Sequence, residues 1–235
     1  MRAACHALAV QIGVLGATGP AGSGVAARLA DLGHDVLAGS RDLTRAEATV
    51  EELQAKWGER LDSLAPATNA DAAAAPDLVV NATTWEGSIP TASAHADALA
   101  GKVVIAMANG LKKEGREFRL VLPEGSTVAE GVQAAAPEAL VVAAFHLVPA
   151  AAFAALDDPI PSDVIVVADH DRARRTVMEL AVSIPGMRAF DGGTLRNAIG
   201  LEAFAALLLS INVRHRGKAS VRLEGVDGYR PEANA

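Results

Sequence analysis

The sequence predicts an α/β fold, a parallel sheet with helices on both faces followed by a smaller C-terminal α/β domain. Three observations carry this. Short apolar runs alternate with helix-period segments through the first half of the chain, the pattern of βαβ units. The first apolar run, Val10 to Leu15, ends at a glycine-rich loop that opens a helix. With 235 residues, 51% hydrophobic and 21% charged, the chain can bury a sizeable core and is not disordered.

The elements follow in order. Gly22 to Leu32 reads as a helix with Val25, Leu29 and Leu32 on one face, and Gly33 is placed to cap it. Asp35 to Ala38 is a strand and Arg45 to Trp57 a helix rich in Ala, Glu and Leu. Asp77 to Ala82 is a buried strand, Thr91 to Ala100 a helix, and Val103 to Met107 and Leu140 to Phe145 are strands. The second half reads strand Asp163 to Ala168, helix Asp171 to Ser183 and strand Met187 to Phe190. Leu195 to Val213 is a helix apolar nearly all round, so it is expected to be buried, in the core or in a dimer interface. A basic stretch, Arg214 to Lys218, precedes a short strand, Ser220 to Leu223, and a tail expected to fray from Asp227. The implied division is residues 1–145 and 146–235.

Composition excludes several functions. The single tyrosine, Tyr229, lies in the tail with no lysine after it, so a Tyr-x-x-x-Lys catalytic pair is impossible. Aromatics at 3% leave no stacking platform for single strands, and a net charge of −7 argues against nucleic acid as a partner. Cys5 alone cannot build a disulfide framework or a cysteine-rich zinc site, and the histidines show no metal-ligand spacing. The start, Met1 to Ala9, lacks a convincing cleavage site and reads as an untethered extension. Ala139 to Leu156 is long enough to span a bilayer, but His146 and Pro149 at its middle favour strand, turn and helix. The expectation is a soluble cytoplasmic protein.

The loop Gly16-Ala17-Thr18-Gly19-Pro20-Ala21-Gly22 carries glycines at Gly-x-x-Gly-x-x-Gly spacing between a buried strand and an amphipathic helix. Small residues let the backbone approach a pyrophosphate, and the helix start points its N–H groups at that anion. This is the context of a Rossmann dinucleotide site; the alternative is a tight structural turn. The second strand ends in Gly39-Ser40-Arg41, with no acid to hold ribose hydroxyls. A hydroxyl and a guanidinium suit a 2′-phosphate, and Arg45 adds a second cation, so NADP is expected. Otherwise both arginines are solvated surface charges.

Ligands bind beyond the carboxyl ends of such strands. Ala82, Thr83 and Thr84 at one tip, and Ala108 and Asn109 at the next, are expected to flank the nicotinamide ribose and ring. Trp85 reads equally as a cofactor neighbour or a buried aromatic. His146, at the tip after Leu140 to Phe145, is either a site residue or a core histidine satisfied by a carbonyl.

The glycine loop, Gly39-Ser40-Arg41, Thr84-Trp85-Glu86, Ala143 to Ala150 with its His-x-x-Pro-Ala, and Asp191-Gly192-Gly193-Thr194-Leu195 with Asn197 together resemble the F420-dependent NADP oxidoreductases over about Val10 to Gly225. The resemblance implies a Rossmann domain holding NADP, a small C-terminal domain closing over it, and coenzyme F420 stacked on the nicotinamide in a homodimer. It places Thr18, Ser40, Arg41 and Arg45 at the adenosine-phosphate end. Ala82 to Thr84 and Ala150 fall on the nicotinamide side. His146, Val148, Pro149, Ala203 and Ala206 fall against the deazaflavin. The sequence departs from the family at Thr84, Leu147, Ala205 and Ala206. Arg214, Arg216 and Lys218 either attract the anionic tail of F420 or cap a helix C-terminus. The implied reaction is reversible hydride transfer between NADP(H) and F420. The competing readings are an NADPH-dependent reductase of a small imine or keto substrate, and a non-catalytic NADP-binding redox sensor.

Overall fold

The computed structural model describes residues 10–231. The expected N-terminal extension, with Cys5 and His6, lies outside the described residues. The chain runs β1 (Gln11–Leu15), α1 (Pro20–Asp31), β2 (Asp35–Ser40), α2 (Leu43–Trp57), β3 (Leu64–Thr68), α3 (Asn69–Ala73), β4 (Leu78–Asn81), α4 (Trp85–Ala94), α5 (Ala96–Leu99) and β5 (Val103–Ala106). It continues β6 (Leu111–Glu114), β7 (Glu117–Leu120), α6 (Val128–Ala135), β8 (Leu140–Ala143), α7 (Ala150–Phe153), β9 (Asp163–Ala168), α8 (Asp171–Ser183), β10 (Arg188–Asp191) and α9 (Ala198–His215).

Eight strands form one sheet in the order β10-β9-β8-β5-β4-β1-β2-β3, and β6 pairs only with β7. All pairings in the large sheet are parallel except β8 with β9. The order reverses direction at β1 and β4, and a crevice opens there beyond the strand ends. Alternate residues of each central strand enter opposite cores. Leu78 and Val80 of β4 join a cluster with Val25, Leu29 and Phe153, whereas Val79 joins one with Val104, Val128 and Leu201. This double burial is why the parallel strands read as continuous apolar runs.

Several expectations are corrected. The helix expected over Thr91 to Ala100 is two helices, and α4 begins at Trp85 because the Thr84 side chain accepts the Gly87 N–H. Ser220 to Leu223 forms no regular strand; it is an extended segment tied at both ends of Asp163, whose N–H donates to Val221 O and whose carboxylate accepts the Leu223 N–H. The tail does not fray at Asp227, since the Tyr229 N–H donates to Ala189 O at 2.7 Å and its hydroxyl meets Glu179. The all-round apolar helix is buried on one side only. Ile199, Phe204, Leu207, Leu209 and Ile211 of α9 remain exposed, while its buried side carries the fully enclosed carboxylate of Glu202. The Ala139 to Leu156 stretch is strand, turn and short helix.

Residues beyond 145 add β9 and β10 to the same sheet. Two of the contacts that bind this part to the first lie between α1 and α7. Gly24 of α1 lets α7 approach so closely that a Cβ there would lie 3.1 Å from Phe153 Cβ and 3.3 Å from Ala150 O. The buried guanidinium of Arg28 donates to the carbonyls of Ala152, Ala155, Leu156 and Asp158, closing the turn after α7.

Candidate functional site: a dinucleotide cleft at the strand tips

The loop from β1 to α1 is shaped by its first and last glycines. Gly16 has φ 75°, a left-handed conformation that a side chain disfavours. A Cβ on Gly22 would stand 2.4 Å from Gly16 O and 2.9 Å from Ala17 Cα, so only glycine lets the helix start fold back on the strand end. Gly19, by contrast, has only Gly16 O within 4 Å, at 3.5 Å. Its bare side faces open space. Gly19 caps α1 without any side-chain bond, Pro20 follows, and no acid lies in the first turn. The free N–H groups of that turn are left for an anion.

A cleft of about 380 Å³ opens in front of this loop. Its wall includes Gly16, Thr18, Gly19, Pro20, Ala21, Ser40, Arg41, Arg45, Ala82, Thr83 and Thr84, eleven of the residues the sequence singled out. Ala17 and Gly22 are buried behind it. Ser40 is held at the tip of β2, its Oγ accepting the Asp42 N–H at 3.2 Å. Arg41 and Arg45 are exposed and make no salt bridge among the described residues.

The sequence reading missed three wall residues, Asn69, Gly87 and Thr91. Asn69 accepts the Gly16 N–H at 3.2 Å and so fixes the loop from the start of α3. Both β3 and α3 went unread because Pro66 lies in the strand. Pro66 is tolerated because β3 is the edge of the sheet. A signal was present: Thr68 and Asp71 form a capping box. Thr83 is placed by Asn81, which is fully buried, accepts the Thr83 hydroxyl at 2.7 Å and donates to Ser88 O. Trp85 packs, half-buried, against the core and is not part of the cleft wall.

The remaining predicted residues lie at the neighbouring tips. Ala108 is buried, and Asn109 after β5 donates to His146 O at 3.2 Å, linking the tips of β5 and β8. His146 is 6% exposed with the Ala144 backbone against its ring, and Asn109 Oδ1 has no partner among the described residues. Burial pushes the imidazole down to about 4, with the Ala144 backbone only partly opposing it. The ring is therefore neutral near pH 7. Val148 is buried, and Pro149 caps α7, which Ala150 begins. Ala203 and Ala206 sit elsewhere, in a groove of about 470 Å³ between α9 and β7 that also involves Phe118 and Leu120.

Glu202 had no sequence signal beyond being a lone acid in an apolar helix. Its carboxylate accepts the N–H groups of Gly110 and Val128, joining α9 to the loop after β5 and to the start of α6. Burial raises it to about 7, opposed by those backbone donors.

Residues 11–110 match the family described as NADP oxidoreductase, coenzyme F420-dependent. The F420-dependent NADP reductase of Methanocaldococcus jannaschii is 32% identical over 216 residues, 90% of this chain and 96% of that protein. That of Methanothermobacter thermautotrophicus is 32% identical over 221 residues, 92% and 95% of the two chains. A crystal structure from Arthrobacter sp. FB24, provisionally described as an F420-dependent NADP reductase, superimposes with a TM-score of 0.72 at 31% identity, covering 88% of this chain and 93% of that one. With 32% identity over nearly the whole length of both chains, this protein belongs to the F420-dependent NADP oxidoreductase family.

Proposed function

We propose that this protein catalyses reversible hydride transfer between NADP(H) and coenzyme F420. One observation carries the reading for the chain itself: the glycine loop shares a cleft with two exposed arginines that have no carboxylate partner. That donor set fits NADP. Thr18, the first-turn amides of α1, Ser40, Arg41 and Arg45 bind its phosphates, and Ala82, Thr83, Thr84, Ala108, Asn109 and Ala150 face its nicotinamide half. Bound together, the two cofactors supply the hydride chemistry, between the nicotinamide C4 and the deazaflavin C5.

The chain's own contribution is placement. Two flat rings must be held at near-attack distance, about 3–3.5 Å, with water excluded. His146, Val148 and Pro149 are assigned to the deazaflavin side. The free Asn109 Oδ1 at the same strand tips supports this, because buried polar atoms are ordinarily hydrogen-bonded. A neutral imidazole there acts as a hydrogen-bonding group and not as a fixed positive charge. Residues 1–145 provide the NADP cleft and 146–235 the opposing surface. Ala203, Ala206 and the exposed apolar side of α9 are assigned to a homodimer that completes the F420 site, in a soluble cytoplasmic enzyme without nucleic-acid or membrane partners.

The test is direct. NADPH is mixed with F420 and the visible absorption of the deazaflavin is followed. Bleaching in step with NADPH oxidation is expected. Tight NADPH binding without bleaching overturns the assignment and favours the redox-sensor or imine-reductase reading.

A further inference from the structure

We propose that the hairpin β6–β7, together with the end of α9, is a basic arm that binds the anionic tail of F420. This rests on the hydride-transfer reading above. The hairpin was not legible as an element in the sequence. It springs directly from Asn109 and Gly110, and its base is closed by the Val121 N–H donating to Gly110 O at 2.7 Å. Its strands of four residues reach roughly 13 Å from that base. It therefore starts beside the tip where Asn109 holds the His146 backbone.

The arm is held against the end of α9. Ser210 Oγ of α9 accepts the Phe118 N–H at 2.8 Å, Arg116 donates to Arg214 O at 3.2 Å, and Arg214 pairs with Glu117. Phe118 and Leu120 line the groove against α9. What the arm shows to solvent is charge. Lys112, Lys113, Arg116 and Arg119 are exposed on the hairpin, and Arg214, Arg216 and Lys218 are exposed beside or just beyond the helix end. Against these seven cations the hairpin holds two carboxylates, Glu114 and Glu117. The excess is five positive charges on a chain whose net charge is −7. Lys113, Arg116, Arg216 and Lys218 make no salt bridge among the described residues.

Capping of the α9 dipole accounts for cations in its last turn. It does not account for those on the hairpin, which belongs to another element. Unpaired cations concentrated on an otherwise acidic surface raise the local concentration of a polyanion and speed its capture. NADP is not the occupant that fits, because its phosphates already have the α1 terminus, Arg41 and Arg45.

The experiment compares Lys113→Glu/Arg116→Glu with the wild type on three substrates: NADPH, F420, and the deazaflavin with its ribityl chain but no phosphate or glutamate tail. Both positions are exposed and outside the NADP cleft, and melting curves check that the variant folds. The KM for F420 is expected to rise on the order of tenfold. KM for NADPH and for the tail-less deazaflavin should stay unchanged. Raising ionic strength should weaken F420 use by the wild type and much less by the variant. An unchanged KM for F420, or an equal rise with the tail-less compound, overturns the tail site while leaving hydride transfer intact. If the wild type reduces neither deazaflavin, the hydride-transfer reading falls and the tail site falls with it.

Discussion

The carboxylate of Glu202 accepts hydrogen bonds from the Gly110 N–H at 3.1 Å and the Val128 N–H at 2.9 Å, with no cation against it among the described residues. A single side chain from α9 thereby fixes the loop after β5, and through Asn109 the backbone of His146. The charge is enclosed and stabilised by backbone dipoles alone.

This predicts a pH dependence of stability with a definite sign. Burial raises Glu202 from 4.5 to about 7, so its favourable contribution is full below the unfolded value and is lost as pH rises through about 7. Relative to Glu202→Gln, the wild type should be less stable at pH 8 than at pH 5, by about 3 kcal/mol. Urea unfolding of both proteins at the two pH values measures this. The comparison with the variant removes the opposite slope expected from His146, whose value falls from 6.5 to about 4 and whose contribution grows as pH rises between those values. An identical wild-type-minus-variant difference at both pH values would show an ordinary carboxylate.

The two arginines in the cleft wall carry the proposed preference for NADP. A charge-assisted hydrogen bond is worth about 1.5–3 kcal/mol, so Arg41→Ala should weaken NADPH binding roughly tenfold to a hundredfold. NADH binding should be nearly unchanged, because the 2′-phosphate is the only group it lacks. Calorimetric titration with both cofactors decides the matter, and equal losses for the two would remove Arg41 from the 2′-phosphate.

The glycines of the loop are not equivalent. A methyl on Gly22 meets backbone at 2.4 Å, which cannot give without moving α1. Gly22→Ala is expected to lose about 1–3 kcal/mol of stability together with NADPH affinity. Gly19→Ala meets its nearest atom at 3.5 Å and should melt with the wild type. Thermal melts with and without NADPH separate the two, and a Gly22→Ala protein as stable as the wild type would disprove the close packing.

Much of this was legible along the chain because the interactions responsible are local. The buried runs of β1, β4, β5 and β8, the loop from Gly16 to Gly22 and the polar tip at Ser40 and Arg41 follow from periodicity and residue type. Elements whose identity depends on neighbours were not legible. β3 contains Pro66 and persists because it is an edge strand paired to β2. α3 and α6 are too short to show a period, although Thr68 with Asp71 and Thr127 with Glu130 mark both starts. The hairpin β6–β7 is masked by charges that a core-facing strand would not carry.

By itself, then, the sequence determined the α/β class, the glycine loop and the arginine pair at the end of β2, since each is marked by residue type and spacing within a single strand-helix unit. Only the tertiary structure decided what crosses between elements. It brought Asn69 behind the glycine loop, tied α1 to the turn after α7 through Arg28, buried Glu202 against two backbone amides, and set the basic hairpin beside the end of α9. These contacts join residues 53 to 130 positions apart, and a periodic pattern carries no information at that range.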